Sequence, residues 1–268
     1  MHPRVSVHQV AFQHESPAAF AEHCHALGVG HLTLATPLLR GGSVDDIRRS
    51  ITAGGPRVAN VNHPFAVYPD LDADRGEAAA KLLATIDIGA QLGADNIYLL
   101  TGGRGSLTWE QAAQRFAELI APCKPAAAAA GVRLLVENAS AFNADIHIAH
   151  TLADTLRLAE MAGVGVCLEL HACWMEAGLS QLITRSVPIL GLVQVSDYVL
   201  GDRSAPCRAV PGDGAIPLQG LLGEILGAGY RGVFDLELVG PRIDAEGAAA
   251  ATARGAQRLS ELLTTLGA

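Results

Sequence analysis

Short, almost continuously apolar runs rich in Val, Ile and Leu alternate along the chain with longer stretches whose apolar residues recur at helical spacing. The short runs predict strands at Val5–Phe12, His31–Ala35, Arg57–Asn62, Asn96–Leu100, Val132–Glu137, Gly165–Leu170, Leu190–Val195 and Val233–Leu238. The longer stretches predict helices at Pro17–Leu27, Val44–Thr52, Ala73–Leu92, Trp109–Ala130, Ile148–Met161, Glu176–Arg185, Leu218–Ala228 and Glu246–Leu266. Strands apolar on both faces belong to a parallel sheet covered by helices. Ser16 before Pro17 and Ser43 before Val44 have the chemistry of helix N-caps. Eight strand–helix units in 268 residues predict an α/β fold, a (β/α)8 TIM barrel forming a single domain over residues 1–268. An open doubly wound sheet would carry a glycine-rich turn after its first strand, but Gln13-His14-Glu15-Ser16-Pro17 follows instead.

Barrel enzymes build their sites at the C-terminal ends of the strands, and those ends are polar here. The third strand ends in Asn62-His63, and the fourth runs into Thr101-Gly102-Gly103-Arg104. The fifth ends in Glu137-Asn138, the sixth in Glu169 with His171 just beyond, the seventh in Gln194, Ser196 and Asp197, and the eighth in Glu237. Glu137, Glu169 and Glu237 each close a run that otherwise reads as buried. An isolated buried carboxylate costs several kcal/mol, so each needs a partner. Two kinds of partner fit: a hard divalent cation shared by the three, or arginines such as Arg133, Arg208 or Arg242.

Composition narrows the class. A formal net charge of −8, with Lys81 and Lys124 as the only lysines, disfavours a nucleic-acid partner. Five cysteines without a C-x-x-C pair read as reduced thiols. Neither a signal-peptide pattern nor an apolar stretch of about 20 residues is present, so a soluble cytoplasmic protein without a membrane partner is expected.

The order of Val136-Glu137-Asn138, of Val166-Cys167-Leu168-Glu169 with His171, of Gln194-Val195-Ser196-Asp197, of Arg208 to Gly214, and of Gly229-Tyr230-Arg231-Gly232 leading to Glu237 resembles the xylose isomerase-like barrels of the sugar phosphate isomerase/epimerase family. The resemblance covers nearly the whole chain and is most specific from Leu134 to Glu237. It implies one divalent metal, manganese first and magnesium, cobalt or zinc as alternatives, held by Glu137, Glu169, Gln194 and Glu237. It also implies that Glu137 and Glu237 move a substrate proton and that Arg208 holds substrate. The chain departs from the family in carrying Glu169 where Asp is commoner, His171 two residues on rather than three, and Gln194 where a histidine ligand is usual. Asp197 is a possible substitute ligand.

The implied reaction is isomerisation or epimerisation of a small keto-sugar or polyol-derived substrate, by proton abstraction next to a carbonyl through a metal-stabilised enediolate. A dehydratase sharing that enolising step is the alternative. A DNA-repair endonuclease on this barrel would need more histidines and a basic face, and a non-catalytic binding barrel would draw its support from Gln194. His63, His171 and Trp174 are further substrate-binding candidates, and His8 lies near a strand end. His147 and His150 read as surface residues, and Gly102-Gly103-Arg104-Gly105 is a weak phosphate-loop signal. Homo-oligomerisation is expected by family analogy alone.

Overall fold

Inward and outward positions alternate along each strand, and that alternation explains why the runs look apolar throughout yet end in carboxylates. The computed structural model describes residues 1–39, 44–52 and 54–268. Its strands are β1 (Val5–His8), β2 (His31–Ala35), β3 (Arg57–Ala66), β4 (Asn96–Gly102), β5 (Arg133–Glu137), β6 (Gly165–Glu169), β7 (Leu190–Val195) and β8 (Phe234–Leu236). All pair in parallel with their sequence neighbours, and β1 pairs with β8 to close the barrel.

Residues such as Val7, Leu34, Val61, Ile97, Val136, Leu168, Val193 and Leu236 face outward into one apolar layer beneath the helices. Residues of the opposite parity fill the inside. Tyr98, Leu135, Cys167 and Leu192 form a small separate interior cluster. Ser6, Thr33, Asn60, Asn96 and Asp235 are also fully or nearly fully buried. Ser6 Oγ donates to Asp235 Oδ1 at 2.6 Å, and Asn96 Nδ2 donates to Asn60 Oδ1 at 2.9 Å. Glu137 shares the parity of Leu135, Glu169 that of Cys167, Gln194 that of Leu192 and Glu237 that of Asp235, so all four continue the inward face to the mouth.

The helices are α1 (Pro17–Ala26), α2 (Val44–Thr52), α3 (Glu77–Leu92), α4 (Trp109–Ile120), α5 (Cys123–Ala129), α6 (Leu152–Ala162), α7 (Leu170–Cys173), α8 (Leu179–Ser186), α9 (Leu218–Gly227), α10 (Pro241–Glu246) and α11 (Ala248–Thr265). Ser16 caps α1 as expected, accepting from the Ala19 amide, whereas the expected cap Ser43 lies outside the described residues. The predicted Trp109–Ala130 helix divides into α4 and α5 around Pro122, which cannot donate to the preceding turn. The predicted first strand stops at His8, because the His8 ring accepts from the Val10 amide and turns Gln9–Phe12 into a 3-10 helix. No helix among the described residues is long and apolar enough to cross a membrane, and all five cysteines are free thiols.

Candidate active site at the barrel mouth

Glu137, Glu169 and Glu237 converge at the C-terminal ends of β5, β6 and β8, with exposures of 5%, 1% and 9%. Each is placed by its neighbours. The His147 ring accepts from the Thr101 amide through Nδ1 at 2.9 Å and meets the Glu137 carbonyl oxygen through Nε2 at 2.7 Å, bracing the end of β5 against β4. Asn138 ties β5 to β6, its Nδ2 donating to the Glu169 carbonyl at 2.8 Å and its Oδ1 accepting from the Glu169 amide at 2.9 Å. Glu169 Oε1 accepts from the His171 amide at 2.9 Å, which caps α7.

The cation in this mouth is Arg208, from the loop after β7. One terminal nitrogen, Nη2, reaches Glu237 Oε2 at 3.0 Å and Glu169 Oε2 at 3.4 Å. Burial works against the guanidinium charge, but Glu237, Glu169 and Glu137 together more than offset it and raise its pKa. Burial pushes the Glu137 carboxyl well above the usual carboxylate range, and the neighbouring Glu237 and Glu169 push it further. Burial likewise raises Glu169, with Arg208 opposing the shift. Among the described residues no hydrogen bond or ion pair holds the Glu137 carboxyl group, so the arginine alternative accounts for Glu169 and Glu237 only.

Gln194 is fully buried and committed at both ends. Its Oε1 accepts from the Cys167 thiol at 3.2 Å, and its Nε2 donates to Tyr98 Oη at 3.2 Å. Tyr98 Oη also meets His8 Nε2 at 2.6 Å, so a hydrogen-bonded chain of His8, Tyr98, Gln194 and Cys167 crosses the barrel beneath the carboxyl groups. Asp197 is equally occupied. Its Oδ2 accepts from the amides of Gly212 (2.8 Å) and Gly214 (2.9 Å), and its Oδ1 from those of Tyr198 (2.8 Å) and Ile216 (3.0 Å). It is a loop anchor, not a spare ligand. No group of three or more His, Cys, Asp or Glu side chains among the described residues is placed to hold a metal ion. The donor set implied by the resemblance therefore does not fit a metal in this arrangement: Gln194 is turned into the barrel, and Arg208 spans two of the three glutamates.

The remaining candidates divide. His171 is half-buried beside Arg208, with Nε2 3.9 Å from Cys207 Sγ and its ring 5.7 Å edge-on from Tyr198; burial and Arg208 lower its pKa to about 4. Trp174 is half-buried and lies 6.4 Å from the same tyrosine ring. His63 is 4% exposed; its Nδ1 meets the Thr85 hydroxyl at 3.0 Å, while Nε2 is buried without a partner. His147, expected at the surface, is instead 1% exposed, because its segment folds inward before α6 begins at Leu152. Gly102 and Gly103 serve packing: a Cβ on either would run into the backbone of Ala66 or Asp145, and Arg104 is exposed.

Comparison with known proteins gives this mouth a context. A family model described as a xylose isomerase-like TIM barrel matches residues 11–262. The chain belongs to that family. No curated protein matches the sequence. Among solved structures, the xylose isomerase-like barrel resembles protein SMc04130 from Sinorhizobium meliloti 1021, with 24% identity, TM-score 0.86, and 97% of this chain and 98% of that one covered. It resembles the IolI protein with a binding zinc atom at 15% identity and TM-score 0.82, covering 98% and 99%. It also resembles a D-psicose 3-epimerase determined in the presence of D-fructose, at 17% identity and TM-score 0.79, covering 99% and 100%. At these identities each likeness establishes the fold.

Tyr98 and His147 escaped the sequence reading as parts of the site, whereas Asn138 and Cys167 stood in its motifs without a role. Tyr98, an inward-parity aromatic within β4, left a usable trace.

Proposed function

We propose that this xylose isomerase-like barrel is an isomerase or epimerase of a small keto-sugar or polyol-derived substrate, working by proton abstraction from the carbon next to a carbonyl. The observation that carries the reading is a pair of carboxyl groups in one buried mouth with opposite company. Glu237 is ion-paired with Arg208, while Glu137 has no ionic partner among the described residues and its pKa is pushed up by burial and by its neighbours. Two like groups held in unlike electrostatic surroundings are the arrangement acid–base catalysis requires. Glu237, ion-paired with the guanidinium, takes the proton from carbon. Glu137, whose hold on its proton is strengthened by burial and by its carboxylate neighbours, returns one from the end of β5. Burial excludes bulk water from the enolate, and the Asn138 and His147 braces fix the end of β5 that carries Glu137. His171 and Trp174 line the same side of the mouth as Arg208 and contact substrate hydroxyls. His63 shares the outward parity of Val61 and meets Thr85 of α3, so it takes no part in this reading.

A dehydratase is the second reading, favoured by the same raised proton affinity of Glu137, since a carboxyl group that holds its proton can give it to a departing hydroxyl as well as to a carbon. The test is incubation with a panel of ketopentoses, ketohexoses and keto-cyclitols in deuterated water, followed by NMR. Deuterium appearing next to the carbonyl in recovered or epimeric sugar supports the first reading. Loss of water to an unsaturated ketone selects the second. Absence of exchange across the whole panel overturns both.

A further inference from the structure

We infer that Arg208 is the resident cation of this barrel mouth, standing where relatives of this fold would place a divalent metal, so that the site is complete without one. The inference rests on the proposed reaction only for what the arginine does to substrate; its claim about metal stands alone. Three independent features lead to it. First, Nη2 of Arg208 lies within 3.4 Å of Glu169 Oε2 and 3.0 Å of Glu237 Oε2, with side-chain exposures of 14%, 2% and 12% for the three groups. A divalent ion drawing those two carboxylates together would have to displace a buried guanidinium. Second, the β7 position the resemblance assigns to metal carries an amide whose oxygen and nitrogen are both engaged, by Cys167 and by Tyr98. Third, the arginine's place is fixed by its backbone: its amide donates to the Val239 carbonyl at 3.1 Å, and the next residue, Ala209, forms a two-bond bridge with Asp197 at 2.8 Å each way.

The guanidinium also retains an unused donor. Arg208 Nε is buried and has no partner among the described residues. A substrate carbonyl oxygen received there would be polarised by a permanent charge, and the negative charge developing on it during proton removal would be met by an N–H that needs no reorganisation. Arg208 is then the electrophile of the reaction, with Glu237 as base on the same guanidinium.

The experiment measures metal, separately from turnover. Wild-type protein expressed with manganese and zinc in the medium is dialysed and subjected to elemental analysis, and manganese is titrated into wild type and into Arg208→Gln by calorimetry. The expected result is well under one-tenth equivalent of any divalent metal in wild type, with no manganese binding at millimolar concentration. Arg208→Gln, left with three facing carboxyl groups, is expected to bind manganese at least about tenfold more tightly and to show a Tm raised by it. Arg208→Lys, which keeps a cation, stays metal-free and covers the case in which the glutamine variant does not fold. Near-stoichiometric metal in dialysed wild type, or equal manganese affinity in wild type and Arg208→Gln, overturns the inference. If exchange on a keto-sugar is found, its survival in EDTA supports the inference, and its loss with recovery on added manganese overturns it while leaving the enolising reading intact. Metal-free protein without exchange on any substrate supports the resident cation and overturns the enolising reading.

Discussion

Glu137 and Glu237 differ in company and not in kind, and their company comes from positions far away in the chain. Replacing either with glutamine keeps its shape and removes its proton transfer. Glu137→Gln and Glu237→Gln are each expected to lower the rate of solvent deuterium exchange by about 10²–10⁴-fold with the fold preserved, checked by NMR exchange rates and circular dichroism. His147 makes a prediction about stability. Burial lowers its pKa from 6.5 to about 4, with His150 adding to the shift and the Glu137 carbonyl opposing it. Between pH 6.5 and 4 the unfolded chain therefore takes up a proton that the native chain refuses. The stability this group contributes is complete above pH 6.5 and is lost as pH falls toward 4, by at most about 1.4 kcal/mol per pH unit for one group. His63, also lowered to about 4 by burial, adds in the same direction. Denaturant unfolding from pH 7.5 to 4.5 should show the decline, with a shallower slope for His147→Gln; equal slopes would remove His147 from the explanation. At this scale the three glutamates were legible because a charge closing an apolar strand run has few places to go. The engagement of Gln194 was not, since Tyr98 and Cys167 reach it from other strands. His147 was misread because its three-residue spacing from His150 suggested an exposed helix start, whereas the segment is a turn packed into the barrel end.

At the level of elements, the loop between β7 and α9 is the part of the site that local pattern described least. Its sequence carries Asp197, Arg208 and the Pro211-Gly212-Asp213-Gly214 turn, yet nothing local indicates that one carboxylate gathers four backbone amides along it. Gly214 belongs to the same device: a Cβ there would run into the Tyr198 carbonyl and the Asp197 carboxylate. Removing the carboxylate in Asp197→Ala leaves buried donors unmet, each worth about 1–3 kcal/mol. A loss of at least about 2 kcal/mol in urea unfolding is expected, together with a drop in exchange activity larger than the stability loss explains, because Arg208 is carried by that loop. A stable but fully active Asp197→Ala protein would contradict the anchoring role. Helix ends were legible where caps are local, as at Ser16; the capping box at Thr108, whose hydroxyl accepts from the Gln111 amide, was not read. The split between α4 and α5 was missed because Ala-rich pattern continues across Pro122 while the backbone cannot.

For the molecule as a whole, barrel closure was legible from eight repeats of one pattern, and the content of its interior was not. Leu135 fills the space that Gly165 on β6 and Gly191 on β7 leave inside the barrel: a Cβ at Gly165 would lie 2.6 Å from Leu135 Cδ2, and one at Gly191 2.7 Å from Leu135 Cδ1 and 2.9 Å from Asn96 Oδ1. The sequence places both glycines inside predicted strands, and only the closed sheet shows them as the complement of one leucine. Gly191→Ala is expected to overpack this interior and cost about 1–3 kcal/mol, read as a Tm lowered by several degrees. The double variant with Leu135→Val should recover part of that loss, and an unchanged Tm in Gly191→Ala would mean the interior is looser than the packing indicates.

The Asp197–Ala209 bridge closes the base of its loop, and the carboxylate cage immobilises the segment from Gly212 to Ile216. The tip from Val199 to Pro206, with Leu200 69% exposed, stands outside that base. Foreign segments of different length grafted in place of the tip would leave the Arg208 pairs with Glu169 and Glu237 standing, so the rim of this barrel can be rebuilt separately from its charged mouth.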